Sequence, residues 1–368
     1  MTASVTRDAA TPDQAVGLPT LTLGAITLIA CAFAFVGLSA EGYWTDELFT
    51  LFLVNHHGGL AEVWRRALTD THPPLYYFLL YGWAQVFGQS ETALRSLSAL
   101  FCVGAVAVFV AGTRGVFSLS GRLFAAAIAA TSPFWFLQSQ NVRNYALCLL
   151  VSSILTVLAI RARTCVRQDK PIPPLTVAGL CLFGAAGAFT HFYVFLAVGL
   201  LYLFLIVTVP STRLRIALLV SGAAIFVGEL AYMRLLLHAT QQNTHAMWFR
   251  ADAGFFANET LQAVEGLVGP GALIGLIALA LAVLWPGGRG VTRATSPISD
   301  GAWSVWLGIS VVAGLIAAGI AISLIFAPSY SNMNVLAASP VLWPALAAAF
   351  DAAAARAKGG WRWVAVGV

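Results

Sequence analysis

A succession of long apolar runs, each close to the length a helix needs to cross a bilayer, leaves this chain few ways to fold. They lie near 18–40, 95–113, 123–138, 144–160, 174–189, 194–210, 214–233, 263–285, 303–325 and 335–349. A helix of roughly 20 apolar residues spans a hydrocarbon core of ~30 Å. Charged residues make up only 10% of the chain, against about 25% in a soluble domain. The sequence therefore predicts an all-α fold: one polytopic transmembrane helix bundle of about ten spans, in a single domain over 1–368. The first run is longer than the ~7–15 residue core of a signal peptide, so it is read as a retained span.

The net charge of +5 invites a polyanionic partner, but its distribution argues against nucleic acid. With a cytoplasmic amino terminus, the inner segments hold most of the Lys and Arg. Arg65, Arg66, Arg95, Arg143, Arg234 and Arg250 are left on the outer side. That asymmetry is the positive-inside bias, and it reports topology. The five cysteines fall in spans or on the inner side and show no CxxC pair, so neither a disulfide framework nor a structural metal site is expected.

The first outer loop, 41–94, is the most informative region. In "GGLAEVWRRALTD", Leu60, Val63, Trp64, Ala67 and Leu68 recur at helical spacing, with Glu62, Arg65 and Arg66 opposite. This predicts an amphipathic interfacial helix. The stretch from Pro73 to Gly88 is too short to span, and Tyr76, Tyr77, Tyr81 and Trp83 suit the membrane–water boundary. All six histidines (His56, His57, His72, His191, His238 and His245) fall on the outer side of this topology.

Three constellations there can carry chemistry. Asp46 and Glu47 in "EGYWTDELFT" supply paired carboxylates for a general base or a divalent cation, or else cap the helix that follows. Arg143 and Tyr145 in "SQNVRNYALCLL" can grip a phosphate, or else anchor lipid headgroups. His72 in "THPPLYY" is held by the proline break at a defined exit point, where it can donate to phosphate or move a proton, or else is incidental. Glu229 lies inside a span five residues from Arg234. An intramembrane carboxylate is a functional suspect, although a structural ion pair with Arg234 is the simpler expectation. His56 and His57 have no recognisable metal-ligand spacing, and no metal is assigned to them.

"WTDE", "HPPLYY", "FGQSETALRSLSALF", "SPFWFLQSQNVRNYAL" and "THFY" (residues 190–193) occur in that order. The pattern resembles GT-C class membrane glycosyltransferases over about residues 18–210. It is most similar to the polyprenyl- or dolichyl-phosphate-sugar-dependent mannosyltransferase group, which includes protein O-mannosyltransferases and aminoarabinose transferases. The resemblance implies inverting transfer of a sugar from a polyprenyl-phosphate donor to a glycan, lipid or protein acceptor on the non-cytoplasmic face of the plasma (inner) membrane. It implies Asp46 as base with Glu47 as its neighbour, and His72 and Arg143 at the donor phosphate. Tyr145, Tyr76 and His191 join them as substrate-binding residues. No cofactor is assigned, and the paired carboxylates of Asp46 and Glu47 leave a divalent cation there open.

Two positions depart from the pattern. Asn141 stands where many relatives carry glutamate, and "APSYSNMNVLAASP" lacks a late arginine. The ending "WRWVAVGV" reads as the start of a further apolar run, so a shortened chain is expected. The rival readings are a transporter or lipid flippase, and a non-catalytic relative that binds lipid-linked sugar. Transporters usually place polar groups at mid-membrane in paired repeats; here the polar residues gather at one mouth.

Overall fold

The computed structural model describes residues 18–55, 57–240, 252–269, 300–326 and 328–356. His56, His245, Arg250, most of the 263–285 run, the C-terminal tail and the His238 side chain lie outside that description. Among the described residues every regular element is a helix.

The chain opens with α1 (Leu18–Phe33) and α2 (Thr45–Val54), followed by the short α3 (Gly59–Ala67) and α4 (Leu75–Phe87). In α3, Val63 and Ala67 are buried while Glu62 pairs with Arg65 and Arg66, as the periodicity predicts. The aromatic residues of α4 behave differently from expectation. Tyr76 and Tyr77 are buried in the protein core rather than set at a lipid boundary, because α4 packs between α2 and the next helix, α5 (Glu91–Gly112).

The run expected over 123–138 is broken into α6 (Leu119–Ala130) and α7 (Pro133–Ser139). Pro133 lacks a backbone N–H, and the Ser132 hydroxyl accepts from the Trp135 N–H, so a new helix starts there. Then come α8 (Tyr145–Arg167), α9 (Pro174–Ala188), α10 (Phe192–Thr208), α11 (Thr212–Thr240) and α12 (Ala253–Val268). The last part comprises α13 (Asp300–Ile325), the short α14 (Asn332–Leu336), a 3-10 turn (Ser339–Leu342) and α15 (Trp343–Arg356). Pro340 lies in that turn, and the run expected over 335–349 is interrupted there.

Among the described residues, four helices are long and apolar enough to cross a membrane: α5, α8, α11 and α13. At a rise of ~1.5 Å per residue, even a helix of about 22 residues reaches ~33 Å. Shorter apolar helices fill the remainder of the bundle. The centre is the α5–α8 pair, where Gly112 admits the Val157 side chain; a Cβ there would overlap it. A second close approach lets Gly319 of α13 meet the Tyr193 hydroxyl and the Tyr330 ring. The helix ends that begin α2, α8 and α10 meet at one end of this bundle, and the polar residues of interest collect there.

Candidate functional site at one mouth of the bundle

The chain is extended at Trp44 and turns helical at Thr45, which puts Asp46 and Glu47 in the first turn of α2. Trp44 is therefore the N-cap, not Thr45 or Asp46. Successive helical residues diverge by ~100°, and the two acids go separate ways. Glu47 is buried. Its Oε1 accepts from Arg95 Nε at 2.9 Å and from the Val142 N–H at 2.8 Å. Its Oε2 accepts from Arg95 Nη2 at 2.6 Å and from the Trp44 N–H at 3.3 Å. Arg95 also donates to the carbonyls of Leu38, Glu41 and Gly42. Glu47 thus ties α2, α5 and the 140–144 turn together.

With two donors on each oxygen, Glu47 has no lone pair left for a cation. The pair does not fit the divalent ion considered for it, and among the described residues no three His, Cys, Asp or Glu form a metal-binding group. Asp46, in contrast, has a side chain 48% exposed, with its Oδ2 3.8 Å from Arg143 Nη2.

Arg143 is buried in the turn before α8. Its Nη1 donates to the Thr50 hydroxyl at 3.2 Å, and the Asp46 carbonyl lies 3.4 Å away. Asn144 holds this turn against α9 by donating to the Thr190 carbonyl at 2.9 Å. Burial acts against the Arg143 charge, but the surrounding Tyr77, Asp70, Tyr145 and Asp46 more than restore it.

Asp70 is a site residue that the sequence reading passed over. It is buried in the loop after α3; its carboxylate faces His72 Nδ1 at 3.2 Å and accepts from the Thr71 N–H at 2.7 Å and from the Tyr77 hydroxyl. Burial alone would raise this carboxyl, yet the His72 imidazole, Arg143 and the Tyr77 hydroxyl hold it well below the usual carboxylate range. Burial and then the Asp70 charge push the Tyr77 hydroxyl well up, so it stays a donor. The signal was present as an acid two residues before a histidine, a spacing that lets the carboxylate orient the ring.

The His72 ring stacks at a tilt 5.1 Å from that of His191, and His191 lies 5.2 Å from the Tyr145 ring. His191 caps α10: its Nδ1 accepts the Tyr193 N–H at 3.0 Å, which leaves the proton on Nε2. Burial, then the charges of His72 and Arg143, lower its basicity far below the ordinary histidine value. The Tyr145 hydroxyl donates to Asn334 Oδ1 at 3.2 Å. Tyr76 lies beneath the group, edge-on to Tyr77 at 5.9 Å.

The structure therefore gathers Asp46, His72, Arg143, Tyr145 and His191 into one cluster, with Asp70 and Asn334 added. It directs Glu47 away from that cluster into its tie with Arg95. The Asn141 side chain accepts from the Trp44 indole at 2.9 Å. The short α14 brings the side-chain amide of Asn334 to the site.

Glu229 does not pair with Arg234. Five helical steps place the two on opposite sides of α11, so Glu229 is buried while Arg234 is exposed.

Residues 71–232 match the family described as dolichyl-phosphate-mannose-protein mannosyltransferase. This stretch carries His72, Arg143, Tyr145 and His191, and the GT-C class resemblance of the motifs is borne out over it; Asp46 and Glu47 precede it. Among solved structures, the chain is similar to the archaeal oligosaccharyltransferase AglB from Archaeoglobus fulgidus, determined in complex with an inhibitory peptide and a dolichol-phosphate. The identity is 14%, the TM-score 0.44, and the match covers 91% of this chain and 50% of that one. The chain thus spans about half the length of that protein. No curated protein matches the sequence.

Proposed function

We propose that this chain is an integral membrane glycosyltransferase that moves a sugar from a polyprenyl-phosphate donor to an acceptor hydroxyl at the extracytoplasmic mouth of its helix bundle, with inversion. The observation that carries this reading is the pairing of a half-exposed Asp46 with a buried Arg143 at 3.8 Å, beside an imidazole oriented by Asp70. The family match over 71–232 supports the donor class.

The acceptor oxygen attacks the anomeric carbon from the face opposite the phosphate. Asp46 takes the acceptor proton, and the bond from the anomeric carbon to the phosphate oxygen breaks with its electron pair going to the carrier phosphate. A singly charged diester becomes a doubly charged monoester. The added negative charge is met by Arg143, a planar donor fork suited to phosphate, and by His72. Because Glu47 is saturated by Arg95, Val142 and Trp44, Asp46 is the member of the pair with oxygens free for a substrate. The acceptor is a glycan, a lipid or a protein hydroxyl, and the mouth location gives a lipid-anchored donor access from the bilayer.

The test is sugar release by purified Asp46→Asn and Arg143→Ala proteins from a panel of polyprenyl-phosphate sugars. Asp46→Asn is expected to fold and to lose about 10²–10⁴ of the rate, the usual worth of a positioned base. Undiminished transfer by Asp46→Asn would remove the general-base role. A wild type that binds the carrier but transfers nothing would make the chain a lipid-linked-sugar-binding protein.

A further inference from the structure

Behind His72 the structure opens a cavity of about 220 Å³, lined among others by His191, Glu229, Tyr232, Ser329 and Asn334. Glu229 is 2% exposed, and its Oε1 has no hydrogen-bond partner among the described residues. The nearby Tyr232 hydroxyl is committed elsewhere, donating to the His72 carbonyl at 3.1 Å. A carboxyl group buried without its hydrogen bonds is costly, so a membrane helix carries one at little benefit unless something binds it. His191 also lines this cavity, and its buried Nε2 has only the neighbouring Asn334 side chain beside it.

The cavity therefore offers an unused acceptor on α11 and an unused donor at the start of α10. A polyhydroxylated ring satisfies both kinds of group, since each of its hydroxyls donates one hydrogen bond and accepts others. A hydrocarbon tail satisfies neither.

We propose that Glu229 is a specificity-determining residue that accepts hydrogen bonds from hydroxyls of the donor's sugar ring, seated in the cavity between His72, His191 and Asn334. This rests on the glycosyl-transfer reading above, since it places the sugar beside the phosphate held by Arg143 and His72. Glu229 acts on the bound sugar and not on the carrier.

The experiment separates those two parts. Wild type, Glu229→Gln and Glu229→Leu in lipid nanodiscs are titrated with sugar-free polyprenyl phosphate and with polyprenyl-phosphate hexoses of the same chain length. The sugar-bearing ligands are expected to bind about tenfold or more weakly to Glu229→Leu, as for a lost hydrogen bond to a charged group. Glu229→Gln should lose less, and sugar-free carrier should bind both variants within about twofold of wild type. The Gln variant keeps the size and polarity of the native side chain and so reads the effect if Leu impairs folding. Equal losses for both ligand types would overturn the inference, as would no loss for either, while leaving the carrier-dependent reading intact. Failure of the wild type to bind any carrier would instead remove the glycosyl-transfer reading, and this inference with it.

Discussion

Asp46 faces Arg143 across 3.8 Å with nearly half its side chain exposed, whereas Glu47, one residue on, is sealed against Arg95 by a two-pronged ion pair. Both pairs join α2 to an arginine elsewhere in the fold. In the Glu47 pair every lone pair is matched at close range, and this gives rigidity. In the Asp46 pair the distance is too long for a direct hydrogen bond, so the carboxylate and the guanidinium stay available to a third group. The difference teaches that one turn of helix can separate an acid tied into the frame from one left open to a third group.

The largest effect expected from breaking this contrast is on the structural side. Arg95→Ala leaves the buried Glu47 charge unpaired and strands three carbonyls, and a loss of about 3–5 kcal/mol is expected. Thermal unfolding in detergent measures it; an unchanged midpoint would mean that the Glu47 tie holds nothing. On the other side, Arg143→Lys keeps the charge but loses the fork. Transfer is expected to fall by about 10²-fold, in the range for one lost transition-state donor, with the folded yield preserved. Equal losses of stability from Arg143→Lys and Arg95→Ala would erase the distinction between the two arginines.

Acid sensitivity sharpens the comparison further. His191 and Asp70 both bind protons less readily in the folded state than in the unfolded chain. The unfolded state therefore holds more protons on acidification, and stability rises with pH through both groups. The His191 contribution is complete above its unfolded value of ~6.5 and declines below it; the Asp70 contribution is complete above ~3.9 and declines below that. Unfolding temperatures measured between pH 8 and pH 4 should fall from about 6.5 downward. His191→Asn keeps an acceptor at the N-cap and should flatten that first decline. An unaltered slope in His191→Asn would assign the acid sensitivity to other groups.

Much of this was legible in the sequence, and what was not has physical causes. Apolar run length yields membrane helices, because one number, the bilayer thickness, sets it. The interruptions at Pro133 and Pro340 were also written in the chain, but a run of apolar residues hides a break that only backbone hydrogen bonding enforces. Periodicity found α3, since its two faces differ in polarity. It misplaced Tyr76 and Tyr77, since aromatic residues suit both an interface and a core, and only packing between α2 and α5 decides. Asp46, His72, Arg143, Tyr145 and His191 were named by residue type and motif order, and the fold brings them close together. Asp70 was missed because a loop acid has no periodic signal. The division between Asp46 and Glu47 could not be read at all, because Arg95 lies 48 residues away.

The smallest expected effect comes from the first loop. Glu62 is partly exposed and shared by Arg65 and Arg66, which lower its carboxyl to about 2. Solvent screens such groups, so Glu62→Gln should leave both thermal midpoint and transfer unchanged within error. A clear loss in either would show that α3 does more than cover the site.

The most direct measurement is a paired comparison of Asp46→Asn and Glu47→Gln, reading sugar transfer and unfolding temperature on the same purified samples. Asp46→Asn should keep the wild-type midpoint and lose transfer by about 10²–10⁴-fold. Glu47→Gln should lower the midpoint, with transfer falling only as far as the folded fraction does. Transfer retained by Asp46→Asn, or lost by a Glu47→Gln protein of unchanged stability, would contradict the assignment of the two acids.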